Sequence, residues 1–305
     1  MKRPDITSSL TIRPLRLGIL PGESPDVVRN LNEPLRLSCQ RALNRPVELI
    51  VGATYSSIGD ALRLRQVDVA FLGPVAYILQ RRDRPLEPFA RPTHPGMTGP
   101  TFKAAIIVPA SSPVTSLHDL RGKEIAFGDL ASTSGNWVPR YQLLDAGLVA
   151  DRDYVRRHLG AHDAVANAVA LRQVAAGCLS LTVLQRLLDK DVLAPDSVRI
   201  LAESSAIPEY MWTFREGLEA SLREDIRAAF ITMRDIAALE AYRASAFIPA
   251  VDSDVDRVRH WMEAILQARL QDSPIPWKTN ASAIAWPQVS ETRPQRYASH
   301  PSTAN

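Results

Sequence analysis

The chain has 305 residues, of which 46% are hydrophobic and 23% are charged, and its formal net charge is +3. This composition is ordinary for a soluble globular protein and excludes a disordered, collagen-like or coiled-coil chain. No apolar run approaches the ~18 residues that a transmembrane helix requires, so no stable membrane insertion is expected. Basic and acidic side chains are interleaved along the chain, so nucleic acid is not an expected partner.

The N-terminal segment and the cysteines also bear on the class of protein. Lys2 and Arg3 are not followed by an apolar segment, so the sequence predicts no signal peptide. Cys39 and Cys178 stand outside any CxxC or Cys/His spacing. They predict two buried thiols, with a disulfide as the alternative, and no metal site is expected.

The first part of the chain alternates short apolar strands with amphipathic helices. Strands are predicted at 15–20, 46–51 and 67–72, and helices at 25–43, 55–65 and from 73. Pro25 stands in a first helical turn, where proline is favoured, and Ser24 can cap that helix. This alternation predicts a mostly parallel sheet with helices on both faces.

A second run of α/β units follows a proline- and glycine-rich segment at 91–101, which predicts a loop. Strands are predicted at 102–109, 124–127, 174–178, 198–202 and 209–214, and helices at 135–147, 162–171 and 181–189. Two long helices, at 216–238 and 254–270, close the predicted fold. The tail at 271–305 carries five prolines and no periodic segment, which predicts an extended or disordered tail.

The two runs predict two α/β lobes. Lobe 1 comprises 15–108 together with 206–270, and lobe 2 comprises 109–205. The chain is expected to cross between the lobes twice, near 109–116 and near 203–208. Two crossings favour a hinge, and a cleft between hinged lobes is a natural site for a small ligand.

The segment at 128–137 (GDLASTSGNW) follows a predicted strand and begins a helix. A helix N-terminus offers unpaired N–H groups and the positive end of the helix dipole, and therefore attracts anions. Ser132, Thr133 and Ser134 add hydroxyl groups here, and Gly135 allows close approach of the backbone to a ligand. Plain helix capping by a serine or threonine is the alternative interpretation.

Two further positions are candidates for a site. His158 and His162 have a spacing that would allow a shared metal on one helix, but Gly160 stands between them and no third ligand is near. His162 either begins a helix or faces the cleft as a donor to an anion. Tyr55 follows a predicted strand, at the edge where open α/β sheets place ligand contacts, or is an aromatic at a corner. No nucleophile or nucleotide-binding motif is present, so neither catalysis nor a cofactor is expected.

Five segments in chain order carry a family resemblance. They are LGILP at 17–21, Tyr55 with ALRLRQVDVAFLGPVAY at 61–77, SLHDLRGKEIAF at 116–127, STSG at 132–135 and GAHDAV at 160–165. Together they resemble the substrate-binding proteins of phosphate, phosphite and phosphonate ABC transporters, over about residues 15–270. The resemblance implies the two-lobed type II periplasmic-binding-protein fold with a ligand cleft at the hinge, in agreement with the predicted lobes.

The resemblance also implies ligand-binding residues on both lobes, namely Tyr55, Ser132, Thr133, Ser134, His162, Phe102 and Tyr210. In this family the serine–threonine–serine turn holds the phosphoryl oxygens. Phe102 stands where relatives that bind aminoalkylphosphonates carry a tyrosine, and Thr182 and Tyr210 stand where they carry two carboxylates. An ammonium group without a carboxylate partner is poorly held, which favours phosphonate, phosphite or phosphate as the ligand.

The leading interpretation is therefore a monomeric, non-enzymatic protein that binds a small oxyanion and delivers it to an ABC permease. It is periplasmic if a leader has been removed, and cytoplasmic otherwise. One alternative is a cytoplasmic ligand sensor on the same fold. The other is an enzyme on the same fold that uses His162 with Asp163, although adjacent side chains on a helix point apart.

Overall fold

The computed structural model describes residues 13–82, 85–94 and 101–271, with side chains described as far as 268. The tail predicted at 271–305 therefore lies almost wholly outside the described residues. The helices are α1 (Pro25–Leu43), α2 (Tyr55–Arg63), α3 (Pro74–Arg81), α4 (Val138–Asp145), α5 (His162–Ala170), α6 (Leu181–Asp189), α7 (Ala220–Ile231), α8 (Ile236–Glu240) and α9 (Asp256–Gln271). Helix α1 has Pro25 in its first turn, as predicted, but the Ser24 hydroxyl makes no capping hydrogen bond.

The strands fall into two larger sheets and one short ladder. They are β1 (Leu15–Ile19), β2 (Val47–Val51), β3 (Val69–Leu72), β4 (Glu87–Thr93), β5 (Thr101–Phe102), β6 (Ala104–Pro109), β7 (Glu124–Gly128), β8 (Val155–Gly160), β9 (Ala176–Ser180), β10 (Val198–Glu203), β11 (Ile207–Pro208), β12 (Met211–Phe214) and β13 (Ala246–Pro249). The six-stranded sheet of lobe 1 has the order β13-β4-β12-β3-β1-β2. The five-stranded sheet of lobe 2 has the order β10-β6-β9-β7-β8.

Both sheets are mixed, but most strands of each run in one direction, namely β1, β2, β3 and β4 in lobe 1 and β7, β8, β9 and β10 in lobe 2, so the prediction of mostly parallel sheets is confirmed in strand direction. Strand β1 is parallel to β2 and β3, but β12 is antiparallel to β3 and β4. In lobe 2, β7 is parallel to β8 and β9, but β6 is antiparallel to β9 and β10. The chain connections explain this mixture. Strands β6 and β12 enter their sheets from the other lobe, at the edge where β9 and β3 end, and therefore run in the opposite direction.

The hinge is the antiparallel ladder of β5 and β11, which pairs Phe102 with Ile207. The second predicted crossing coincides with β11. The first predicted crossing, near 109–116, is wrong, because Pro109 pairs with Val198 at the end of β6 that lies away from the hinge. Residues 104–108 of β6, predicted in lobe 1, therefore belong to the sheet of lobe 2, and the chain first crosses at β5.

Other differences from the predicted elements have local causes. Strands β4, β8 and β13 were missed; β4 contains Pro88 and Pro92, and β8 is an edge strand of sequence VRRHLG. The helix predicted over 216–238 ends at Ile231. Asp235 then starts α8 by accepting the N–H of Ala238 at 3.4 Å. The strand predicted at 174–178 lies two residues later, as β9.

Each sheet has an apolar cluster on both faces. In lobe 1, α1 and α7 pack on one face around Trp212, and α2 and α3 pack on the other around Tyr77. The clusters of lobe 2 include α5 and α6 on one face and α4 on the other. Helix α9 packs against both α3 of lobe 1 and α4 of lobe 2. No described helix has the length and apolar character needed to cross a membrane.

Candidate functional site

A cavity of about 180 Å³ lies between the two lobes, beside the hinge. The loop after β1 and the N-termini of α1 and α2 line it from lobe 1. The start of α5, the end of β9 and the first turns of α6 line it from lobe 2. Four of the residues that the sequence analysis selected for the site are brought together here: Tyr55, Phe102, His162 and Tyr210.

Tyr55 is the first residue of α2 and is 3% exposed. Its backbone N–H donates to Oδ2 of Asp129, in lobe 2, at 3.2 Å. Polar interactions with the side chains of Tyr210 and Ser132 partly offset the effect of burial on the pKa of Tyr55. Burial raises the pKa of Tyr55 to about 12, so the phenol keeps its proton at neutral pH and can donate it to an anion.

His162 is the first residue of α5, and it contacts lobe 1 through its backbone. Its N–H donates to the carbonyl oxygen of Gly22 at 3.1 Å. Burial, reinforced by the positive charge of Arg186, lowers the pKa of His162 to about 4, so the imidazole is neutral at pH 7. Nδ1 accepts the N–H of Ser180 at 3.4 Å, which leaves the single imidazole proton on Nε2. His162 is thus a neutral donor on the cavity wall.

The serine–threonine–serine turn lies behind this wall. Ser132 accepts the N–H of Gly135 at 3.0 Å and so caps the π-helical turn Thr133–Trp137, which is the capping role considered as the alternative. Oγ1 of Thr133 accepts the N–H of Val75, in lobe 1, at 3.0 Å. The hydroxyl of Ser134 is buried and has no hydrogen-bond partner among the residues that the structure describes. None of the three residues lines the cavity, and Ser132 reaches it through Tyr55.

The structure separates the two histidines considered as a metal pair and gives Asp163 a local backbone contact. His158 lies on β8, with Nδ1 at 3.0 Å from the carbonyl oxygen of Gly128, and does not share a helix with His162. Asp163 accepts the N–H of Ala164 at 2.8 Å, within its own helix turn. Among the described residues, no group of three or more His, Cys, Asp or Glu could hold a metal ion.

Two ion pairs in the cavity wall were missed. Glu23 of lobe 1 pairs with Arg186 of lobe 2, and Nε2 of His94 lies 2.7 Å from Oε2 of Glu209. The hydrogen bond that Glu209 accepts from the imidazole raises the pKa of His94. The expectation of a cavity without carboxylates is therefore wrong, although Thr182 and Tyr210 do line it.

The sequence contained a local signal for two of these residues, Glu209 and Arg186, but not for Glu23. Glu209 immediately precedes Tyr210, and Arg186 follows Thr182 by one helical turn, so each adjoins a position already considered. Glu23 pairs with a residue 163 positions later, and no local pattern marks that contact.

Two mixed sheets joined by a paired hinge, with a cavity between them, define the two-lobed fold of the periplasmic binding proteins. The family model described as "ABC transporter, phosphonate, periplasmic substrate-binding protein" matches residues 17–255. The chain therefore belongs to this family, whose members are transport proteins, and the resemblance noted in the sequence is confirmed.

Individual relatives agree with this assignment. The chain is 23% identical over 269 residues to the phosphate-import protein PhnD of Mycolicibacterium smegmatis, which covers 81% of this chain and 84% of that protein. A binding protein component of an ABC phosphonate transporter from Pseudomonas aeruginosa has a TM-score of 0.78 at 20% identity, covering 86% of this chain and 90% of that one. PhnD1 of Prochlorococcus marinus, solved in complex with methylphosphonate, has a TM-score of 0.73 at 18% identity, covering 82% and 97%. These structural likenesses establish the two-lobed fold.

Proposed function

We propose that this protein is the substrate-binding component of an ABC transporter and binds a small phosphoryl oxyanion between its lobes. The ligand class is phosphonate, phosphite or phosphate. The observation that carries the proposal is that Tyr55 of lobe 1 and His162 of lobe 2 line one cavity, each as a protonated neutral donor. Hydrogen bonds from such donors to an anion are charge-assisted, and they are stronger in a cavity that excludes water.

The remaining residues of the proposed site support these two donors. The side chains of Ser132 and Tyr210 interact with the Tyr55 side chain, and Ser134 supplies a buried hydroxyl without a hydrogen-bond partner in the described part of the chain. The Phe102 ring meets the Tyr210 ring edge-on, with 5.4 Å between centroids, and together they form an aromatic wall next to the hinge. Thr133 ties the turn to lobe 1 through the N–H of Val75.

Ligand binding in this proposal stabilises the closed arrangement of the lobes. The contacts of His162 with Gly22 and of Asp129 with Tyr55 join opposite sides of the cleft. A ligand held by both lobes adds hydrogen bonds that only the closed form can make, so it shifts the population towards that form. The closed form is then recognised by a permease. In this proposal the protein acts in the periplasm, as the description of its family supports, and it is a monomer that catalyses no reaction.

Isothermal titration with methylphosphonate, phosphite, phosphate and sulfate tests the proposal. We expect one-to-one binding of at least one phosphoryl ligand. Tyr55→Phe and His162→Ala should each weaken it by about tenfold or more, because each removes a donor to a charged acceptor. Tyr154→Phe and His158→Ala are matched controls, because both residues lie in lobe 2 outside the cavity lining. Absence of binding by every phosphoryl ligand, or equal effects of site and control variants, would contradict the proposal.

A further inference from the structure

The basic and acidic side chains of the cavity wall are arranged in two contacting pairs. Glu23 and Arg186 meet across the cleft, and His94 and Glu209 meet beside the hinge. The Glu23 and Arg186 side chains are only 8% and 17% exposed, and Arg186 contacts the carboxylate through both Nε, at 3.4 Å, and Nη2. His162 is the remaining ionisable imidazole in the lining and is held neutral by burial.

Each cavity carboxylate already has its partners. Oε2 of Glu209 contacts His94, and Oε1 accepts the N–H of Tyr210 at 2.9 Å. Glu23 accepts hydrogen bonds from the guanidinium of Arg186, so the positive charge of Arg186 is already paired. Asp129, behind Tyr55, accepts the backbone N–H groups of Tyr55 and Ala131. A ligand with a positive or a second negative group would have to break a pair and leave a buried charge unmatched, which is costly.

We infer that Arg186 is a specificity-determining residue: by neutralising Glu23 in the cavity wall, it makes the cavity select phosphoryl ligands whose other end is uncharged. The inference rests on the proposed function and adds the chemical class of the substituent. It assigns Arg186 and Glu23 a role distinct from that of Tyr55 and His162, which hold the phosphoryl group itself.

Three ligands of similar size differ in the charge of the substituent that the phosphoryl group carries. They are propylphosphonate (uncharged), 2-aminoethylphosphonate (positive) and phosphonoacetate (negative). We expect the wild-type protein to bind propylphosphonate at least about tenfold more tightly than either charged ligand, since each would displace a charge-assisted bond. Arg186→Gln leaves the Glu23 carboxylate bare and should shift the preference towards 2-aminoethylphosphonate by about tenfold. Glu23→Gln leaves the Arg186 guanidinium without its carboxylate partner. It should shift the ligand preference by a similar factor towards phosphonoacetate.

Two control variants separate charge selection from a general effect on the lobes. Asp189→Asn breaks an exposed inter-lobe ion pair with Arg243, on the same helix as Arg186 but outside the cavity lining, and should keep the wild-type preference. The double variant Glu23→Gln/Arg186→Gln removes both charges together. It should again prefer propylphosphonate, and it keeps the test decisive if either single variant fails to fold.

The outcomes separate this inference from the proposed function. Wild-type protein that binds 2-aminoethylphosphonate or phosphonoacetate as tightly as propylphosphonate would overturn the inference and leave the proposed function standing. If Arg186→Gln and Glu23→Gln each weakened the binding of all three ligands equally, the ion pair would act only as a contact between the closed lobes. This result would also overturn the inference. Binding of no phosphoryl ligand by the wild-type protein would contradict the proposed function, and the inference with it.

Discussion

Asp129 and Tyr55 are joined across the cleft, because Oδ2 of Asp129 accepts the backbone N–H of Tyr55 at 3.2 Å. Its Oδ1 accepts the N–H of Ala131 at 2.8 Å, which shapes the turn that leads to Ser132. Since Tyr55 begins α2, the carboxylate also lies at the positive end of that helix. One residue outside the cavity lining thus orients parts of the proposed site on both lobes.

Asp129→Ala should therefore weaken binding of methylphosphonate by about tenfold, because it leaves two backbone donors without their acceptor. Isothermal titration measures the effect. Asp119→Ala is the matched control: Asp119 also accepts backbone N–H groups, from Thr115 and Ser116, but in a turn of lobe 2 outside the cavity lining. The control should lose stability and keep its affinity. Equal affinities of the two variants would show that Asp129 has no part in orienting the site.

Gly135→Ala should abolish or strongly weaken ligand binding. A Cβ atom at this position would lie 2.9 Å from both Cε1 of His162 and Oγ of Ser132, so the imidazole would have to move. Gly177→Ala is the control, because a Cβ there would lie 2.6 Å from Cγ2 of Val169 and 2.7 Å from Cγ1 of Val165, in the core of lobe 2 outside the cavity lining, and should cost stability but not affinity. Calorimetry on both variants checks this. A Gly135→Ala protein with wild-type affinity would mean that the imidazole position is unimportant.

The stability of the protein should fall in mild acid because of His162. Burial lowers the pKa of His162 from 6.5 to about 4, so between these values the unfolded chain binds more protons than the folded one. The contribution of the neutral imidazole is therefore complete above pH 6.5 and is lost as the pH falls to about 4. The loss is at most on the order of 3 kcal/mol.

Urea unfolding of wild-type and His162→Gln proteins, at about pH 7 and about pH 4.5, measures this contribution. The stability difference between the two pH values should be smaller in the variant. Comparison with the wild type is needed because burial also lowers the pKa of His158, whereas Glu209 raises that of His94. His118→Gln, at an exposed position, should retain the wild-type difference. The same pH dependence in all three proteins would exclude a titrating role of His162.

The two thiols should be unreactive in the folded protein. Cys39 and Cys178 are free and buried in the cores of different lobes, so the prediction of buried thiols is confirmed. Burial raises the pKa of Cys39 to about 12 and that of Cys178 well above its usual range, which suppresses the reactive thiolate. A disulfide reagent should therefore modify neither thiol until denaturant is added, and both afterwards. Rapid modification in native buffer would show that the core of a lobe opens readily.

Local sequence signals predicted those elements whose ends carry chemical markers. Helix α1 begins and ends at the predicted residues, with Pro25 in its first turn and Asn44 in the left-handed conformation just after it. Helix α6 was also predicted with both its bounds. The direction of β6 and β12 was not predicted, because it depends on which lobe the chain comes from. The break between α7 and α8 was missed because the segment keeps a helical composition through Asp235.

The residues of the candidate site also divide into those that local sequence signals predicted and those that depend on contacts between the lobes. Tyr55 and His162 were found because each begins a helix directly after a turn, where ligand contacts concentrate in α/β folds. The positions of Ser132 and Thr133 behind the wall were not foreseeable, since hydroxyls at a helix start serve equally as caps and as ligand donors. Glu23 and Arg186 were missed because each residue alone is typical of a solvated surface. Only the contact between the lobes brings them together in the cavity wall.

A crystal structure of the protein with methylphosphonate would decide whether the inter-lobe cavity is the binding site. We expect the phosphoryl oxygens between the lobes, within about 3 Å of the Tyr55 hydroxyl and of Nε2 of His162. We also expect the methyl group to face the paired charges of Glu23 and Arg186, with both side chains still in contact. A phosphoryl group bound elsewhere on the molecule, or one in the cavity that touches neither Tyr55 nor His162, would contradict this assignment.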